Sequence, residues 1–203
     1  MKRVAILLSG RGSNFLALSD AVERGEVPAK IVLVISNREE APGLEAARER
    51  GYKALFVPSK GKKREDFDRE VVNELNNERV DVVCLAGFMR LLSSFFVRQF
   101  PERILNIHPS LLPAFPGLDA QKQALNWGAK VSGCTVHFVD EELDHGAIIV
   151  QRAVAVQEGD DEDAIAHRIL EEEHRIYPEA LALVCQDRVR VEGRRARIFS
   201  PKD

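Results

Sequence analysis

Two hydrophobic rhythms take turns along the first half of the chain. Residues 3–8 (R-V-A-I-L-L) form a short, continuous apolar run closed by Ser9-Gly10-Arg11-Gly12, which reads as a buried strand entering a turn. Residues 13–24 then place Phe15, Leu16, Leu18, Ala21 and Val22 at helical spacing. The exchange repeats with a strand over 30–35, a helix over about 42–50 that tolerates Pro42 in its first turn, and a short strand over 53–57. A charged amphipathic helix over 64–77 and a fourth strand over 81–86 (D-V-V-C-L-A) follow. Near-continuous apolar strands separated by helices predict a parallel sheet covered on both faces, with right-handed crossovers and ligands at the carboxyl ends of the strands.

The pattern changes after residue 103. Residues 104–107 are strand-like and run into a proline-rich loop over 109–117, and a helix over about 119–127 comes next. Long strands over 131–139 and 147–156 flank a polar turn over 140–146, and a helix over 161–183, with a bend expected at Pro178, closes the pattern. The predicted fold is therefore α/β: a single-domain, Rossmann-like, mostly parallel twisted sheet with helices on both faces and antiparallel additions in the C-terminal half. Repeats, low-complexity tracts and linkers are not evident, so 203 residues read as one domain.

Composition narrows the function classes. With 29 Lys and Arg against 32 Asp and Glu the net charge is -3, too near neutral to draw the chain to nucleic acid or a membrane surface. The cluster Arg188, Arg190, Arg194, Arg195 and Arg197 reads as a solvated basic end. Cys84, Cys134 and Cys185 are isolated and sit among apolar or small residues, which reads as reduced packing residues. The apolar run at 4–8 is too short for a secretory core, and no run approaches a membrane span, so a cytoplasmic protein is expected.

Three segments carry candidate chemistry. Gly10-Arg11-Gly12-Ser13-Asn14 joins a strand to a helix, where backbone N–H groups and the helix dipole favour an anion; Ser13 is alternatively a helix N-cap. The loop lacks the third glycine of a dinucleotide fingerprint and the Gly-Lys-Ser/Thr of a P-loop. Asn106 and His108 lie two apart on one strand face and emerge together before a proline-bounded loop. Thr135 and His137 share a face in the same way, and Asp144 follows in the next turn. A carboxylate there would favour a charged His108, although spacing alone does not bring the two together.

Taken together, S-G-R-G-S-N at 9–14, N-I-H-P-S-L-L-P-x-x-P-G at 106–117 and G-C-T-V-H-F-V-D-x-x-x-D-x-G at 133–146 closely resemble the phosphoribosylglycinamide formyltransferase family. E-E-H-R-I-Y-P at 172–178 resembles that family's C-terminal helix motif, and the likeness runs from about 2 to 192. It implies formyl transfer from 10-formyltetrahydrofolate to glycinamide ribonucleotide, with no metal and with a monomer or homodimer. It implies a phosphate-binding half over about 1–100 and a folate and catalytic half over about 101–192. Asn106, His108 and Asp144 would be the catalytic trio, supported by Thr135 and His137. Gly12, Ser13 and Asn14 would hold the substrate phosphate, with Leu170, Glu171, Glu172 and Glu173 beside the ribonucleotide. Met89, Arg90, Leu91, Leu92 and the segment Asp140, Glu141, Glu142, Leu143, Asp144 would wall the folate pocket, where Asn106 also contributes and Arg64 adds a contact. Asp119 stands where some relatives carry histidine.

The chemistry of those residues fits acyl transfer between nitrogens. Asn106 can donate to a developing oxyanion, and protonated His108 can act as general acid beside Asp144. Formyltetrahydrofolate deformylase, which carries an extra N-terminal domain, and methionyl-tRNA formyltransferase, which carries an added C-terminal domain, share parts of the pattern. A metal-dependent hydrolase built from His108, His137, His145 and Asp144, and a non-catalytic nucleotide-binding module, are the readings from other classes.

Overall fold

A computed structural model describes residues 1–200. The chain begins with strand β1 (Lys2–Leu8), whose alternate side chains enter two different cores. Val4, Ile6 and Leu8 point into one, Ala5 and Leu7 into the other, so the run reads as continuously apolar because it is buried on both faces. Helix α1 (Ser13–Glu23), β2 (Ala29–Ser36), α2 (Pro42–Glu49), β3 (Ala54–Phe56), α3 (Arg64–Asn77) and β4 (Val82–Leu85) continue the expected exchange. A short helix α4 (Ser94–Gln99), capped by the Ser93 hydroxyl, precedes β5 (Ile104–His108).

The sheet then reverses direction. Helix α5 (Ala120–Asn126) leads to β6 (Val131–Phe138), antiparallel to β5, and β7 (Ile148–Ala155), antiparallel to β6. Helix α6 (Glu162–Cys185) follows, and a hairpin of β8 (Val189–Glu192) and β9 (Arg195–Ile198) completes a nine-stranded sheet in the order β3-β2-β1-β4-β5-β6-β7-β9-β8. The α/β class, the parallel half and the antiparallel additions are as the pattern predicted. Two features differ. Helix α4 has only six residues, too few for a readable period, and the basic tail is a hairpin, paired to β7 at Ile148–Arg195. Helix α6 continues as one element through Pro178.

Both sheet faces are covered. Phe15 and Leu18 of α1, Leu44 of α2, and Ile165, Ile169 and Ile176 of α6 fill one core. Phe67, Val71 and Leu75 of α3 with Phe96 of α4 fill the other. Tyr177 on α6 is fully buried, and its hydroxyl lies 3.0 Å from the Leu85 carbonyl and 3.1 Å from that of Leu105, sharing its proton between the ends of β4 and neighbouring β5. The three cysteines are free and buried, and burial pushes the Cys134 and Cys185 thiols up to about 12, which keeps them inert at neutral pH.

Strand order reverses between β1 and β4, which is where an open α/β sheet forms a ligand crevice. The turn after β1 is held there by close backbone approach. Gly12 adopts φ 78°, and a Cβ on it would come within 2.5 Å of Gly43 Cα at the start of α2. Gly43 N–H in turn donates to the Gly10 carbonyl at 3.0 Å. Gly12→Ala combines left-handed backbone cost with overpacking, so a loss of about 2–4 kcal/mol is expected in urea unfolding. A loss under about 1 kcal/mol would mean that this contact yields without cost.

Candidate active site

The site grows from the pairing of β5 with β6. Because successive side chains alternate, Asn106 and His108 share one face of β5, and antiparallel register sets Asn106 opposite His137 and His108 opposite Thr135. Asn106 Nδ2 donates to His137 Nε2 at 3.2 Å, while His137 Nδ1–H donates to the Phe138 carbonyl at 2.7 Å. This bonding defines a neutral ring, and burial lowers the pKa of His137, favouring the same state. His137 thereby orients the Asn106 amide, which keeps a second N–H free.

Thr135 acts on the loop. Its hydroxyl donates to the Ser110 carbonyl at 2.7 Å and accepts from Leu112 N at 3.1 Å and from Gln151 Nε2 at 2.9 Å. Gln151, opposite Thr135 on β7, also donates to the Leu112 carbonyl at 2.9 Å. Sequence reasoning passed over Gln151, though a lone amide within an apolar strand was the available signal. The loop so pinned turns back to place the Phe115 carbonyl 2.9 Å from His108 Nε2.

Asp144 closes the arrangement. Its Oδ2 accepts from Gly117 N at 2.8 Å and lies 3.4 Å from His108 Nδ1, and its Oδ1 lies 3.9 Å from His137 Nε2. Both ring nitrogens of His108 therefore face acceptors, a carbonyl and a carboxylate, an arrangement matched to the doubly protonated ring. Asn106, His108 and Asp144, scattered over 39 sequence positions from 106 to 144, converge beside the sheet end, with the His108 and Asp144 side chains 7% and 9% exposed.

At the other end of the crevice, Gly12 rather than Ser13 is the N-cap of α1, and no side chain caps it. Ser13 is the first helical residue, so the N-cap reading of Ser13 does not hold. Asn14 is buried, and its Nδ2 donates to Glu173 Oε2 at 2.8 Å, while its Oδ1 has no partner among the described residues. Leu170, Glu171 and Glu172 do not share this contact: Glu171 pairs with His167 and Glu172 with Arg175. A neighbouring cleft is lined by Ser9, Gly10, Arg11, Arg38, Glu39 and Lys60. Arg38 and Lys60 were not singled out from the sequence.

Between these ends lie exposed apolar side chains. Met89 is 62%, Leu91 53% and Leu143 54% exposed, and Leu92 packs against the second core. Arg90 stacks over Phe67, its guanidinium carbon 4.7 Å from the ring centroid, and Arg64 opens α3 nearby enough for its charge to act on Asp68. Glu141 and Glu142 are exposed, and Glu141 is held by Arg98 of α4 at 2.8 and 3.1 Å. Asp140 Oδ1 accepts from Glu142 N at 3.0 Å. Among the described residues no group of three or more His, Cys, Asp or Glu side chains could hold a metal ion, and His145 bonds Asp140. No helix among them is long and apolar enough to cross a membrane.

An amide donor and an imidazole–carboxylate pair gathered at one sheet end suit acyl chemistry, and comparison with known proteins gives the class. The profile of the formyl transferase family matches residues 2–181, and the chain belongs to that family. Within it, the chain is 43% identical to the phosphoribosylglycinamide formyltransferase of Escherichia coli K12 over 189 residues, 93% of this chain and 89% of that protein. The crystal structure of glycinamide ribonucleotide transformylase 1 from Symbiobacterium toebii superposes with a TM-score of 0.97 at 51% identity, covering 98% of this chain and 95% of that one. The trifunctional purine biosynthetic protein adenosine-3 of Drosophila melanogaster is 52% identical over 186 residues, 90% of this chain but only 14% of that protein's length.

Burial pushes the Glu173 carboxyl up from its ordinary 4.5 to about 7, against the opposing Asn14 hydrogen bond. A folded-state value above the unfolded one means stability that is complete below about 4.5 and is lost as pH rises through about 7. Glu173→Gln keeps the shape and removes the titration. Urea unfolding should find the variant more stable than the parent at about pH 8 by up to about 3 kcal/mol, and nearly equal at about pH 4.5. A difference independent of pH would contradict this assignment.

Proposed function

We propose that the chain transfers the formyl group of 10-formyltetrahydrofolate to the amine of glycinamide ribonucleotide, in de novo purine synthesis. The observation that carries this reading is the convergence of Asn106, His108 and Asp144 at one end of a crevice whose other end is an anion-ready helix start. One domain then serves two tasks: phosphate binding in about 1–100, and folate binding with catalysis in about 101–192. Its work would lie in the cytoplasm, on small molecules.

The ribonucleotide phosphate sits against Gly12, Ser13 and Asn14, whose backbone N–H groups open α1, with Arg11, Arg38 and Lys60 adding positive charge. Glu173 and Asn14, each with unused hydrogen-bonding capacity in a buried place, take neutral polar groups of the sugar. The donor lies across Met89, Arg90, Leu91 and Leu92 and against Asp140, Glu141, Glu142 and Leu143. Exposed Met89, Leu91 and Leu143 favour covering by a flat apolar ring system. Remote phosphate binding orients the amine, so little entropy remains to be lost at the reacting centre.

The amine lone pair attacks the formyl carbon, forming the new C–N bond and moving an electron pair onto the formyl oxygen. Asn106 Nδ2 and protonated His108 stabilise that oxyanion. Collapse restores the carbonyl and breaks the bond to the folate nitrogen, which leaves with a proton. Asp144, holding His108 on the side of Nδ1, relays the proton lost by the amine, directly or through water, to the leaving nitrogen. A hydrolase would use water in place of the amine, and it has no use for a phosphate-binding helix start in line with the trio.

The test is formyl transfer followed spectrophotometrically with and without the ribonucleotide. Asn106→Ala should lower kcat by about two to three orders of magnitude, as losing one oxyanion donor does. His108→Ala should lower it by about two to four orders, with the ribonucleotide KM nearly unchanged in both. Turnover that proceeds equally without the ribonucleotide would replace this reading with a hydrolase.

A further inference from the structure

Asp144 occupies φ 49°, a left-handed conformation that a non-glycine residue keeps only where its surroundings hold it. Its own carboxylate supplies one anchor, through Gly117 and His108. The adjacent residue supplies another. His145 Nδ1–H donates to Asp140 Oδ2 at 2.7 Å, and its Nε2 accepts from Arg194 Nη1. The second arm of the same guanidinium, Nη2, donates to the His145 backbone carbonyl at 3.0 Å. Arg194 thus holds both the ring and the backbone of the residue that follows Asp144, in a two-armed geometry that lysine cannot copy.

Arg194 stands 49 residues away in sequence, at the tip of the β8–β9 hairpin beside Gly193, whose φ of 60° makes the tight turn. The hairpin reaches the loop because Arg195 pairs with Ile148 at the start of β7, where the loop ends. Asp140, at the other end of the loop, accepts from both Glu142 N and His145, so a pull on His145 is transmitted to the whole segment 140–145. Arg98 on Glu141 is a separate restraint from α4, on an exposed side chain remote from the Asp144 backbone.

We propose that Arg194, acting through His145, is a positioning residue for Asp144: the C-terminal hairpin latches the loop that presents the carboxylate to His108 and walls the formyl-donor site. The kinetic part rests on the proposed transferase reading; the structural part does not. The experiment compares full-length wild type, Arg194→Ala, Arg194→Lys, His145→Ala and the Arg194→Ala/His145→Ala double variant. The measurements are amide hydrogen exchange over 140–146, kcat, and the KM for 10-formyltetrahydrofolate and for glycinamide ribonucleotide.

Either alanine variant should speed exchange in the loop by about tenfold without speeding it in β1 or β4. The formyl-donor KM should rise about fivefold and kcat should fall at least about fivefold, because Asp144 serves the chemical step, with the ribonucleotide KM unchanged; the lysine variant should fall between, and the double variant should be no worse than either single. Unchanged exchange in both single variants, or additive effects in the double, would overturn the latch. Faster exchange with unaltered kinetics would overturn the positioning role. If wild type transfers no formyl group the functional reading fails, while the exchange measurement still decides whether the latch exists.

Discussion

The antiparallel register of β5 with β6 sets Asn106 opposite His137 and His108 opposite Thr135, and the other contacts of the site assume it. A slip of one residue would turn each strand's polar pair to the opposite face, because side chains alternate with a period of two. His137 could then no longer accept from Asn106, nor Thr135 hold the proline loop through Ser110 and Leu112. Apolar residues enforce the register: Leu105 and Ile107 of β5 and Cys134, Val136 and Phe138 of β6 fill the core on the other side. Burial of carbon thus aligns the polar side chains of the candidate site.

Helix α6 ties this centre to the start of α1. Glu173 meets Asn14 at the start of α1, and Tyr177, one turn later, reaches the carbonyls that end β4 and neighbour Asn106. The two contacts lie on one rigid element, so the separation between the Gly12 turn and the His108 end of β5 is set by helix geometry rather than by loops. The cost is a buried carboxyl group, Glu173, whose pKa burial pushes up to about 7 against the hydrogen bond from Asn14.

Much of this was legible in the sequence, for reasons that can be named. Doubly buried strands such as β1 announce themselves as unbroken apolar runs, and the two-residue spacing of Asn106 and His108 is a direct statement about one strand face. Other features were hidden by physics that acts between distant segments. Helix α4 is shorter than two turns, and the β8–β9 hairpin exposes most of its side chains, so neither carries an apolar period. The Asp144–His108 approach depends on how tightly the turn after β6 folds back. Gly146 permits that fold, since a side chain there would collide with the Phe138 carbonyl. Gly12, expected from the resemblance to hold the substrate phosphate, is the contact between the starts of α1 and α2. Arg194 read as tail charge because only the sheet brings it to His145.

We propose that the charge of Asp144, and not merely its shape, equips His108 for acyl transfer. Asp144→Asn retains an oxygen to accept from Gly117 N–H and changes little else in volume. Steady-state formyl transfer by this variant is the most direct test. We expect kcat to fall by about two to three orders of magnitude with the KM for the ribonucleotide held within about twofold. A kcat within about threefold of wild type would contradict it, and would leave the carboxylate with no role beyond holding the loop.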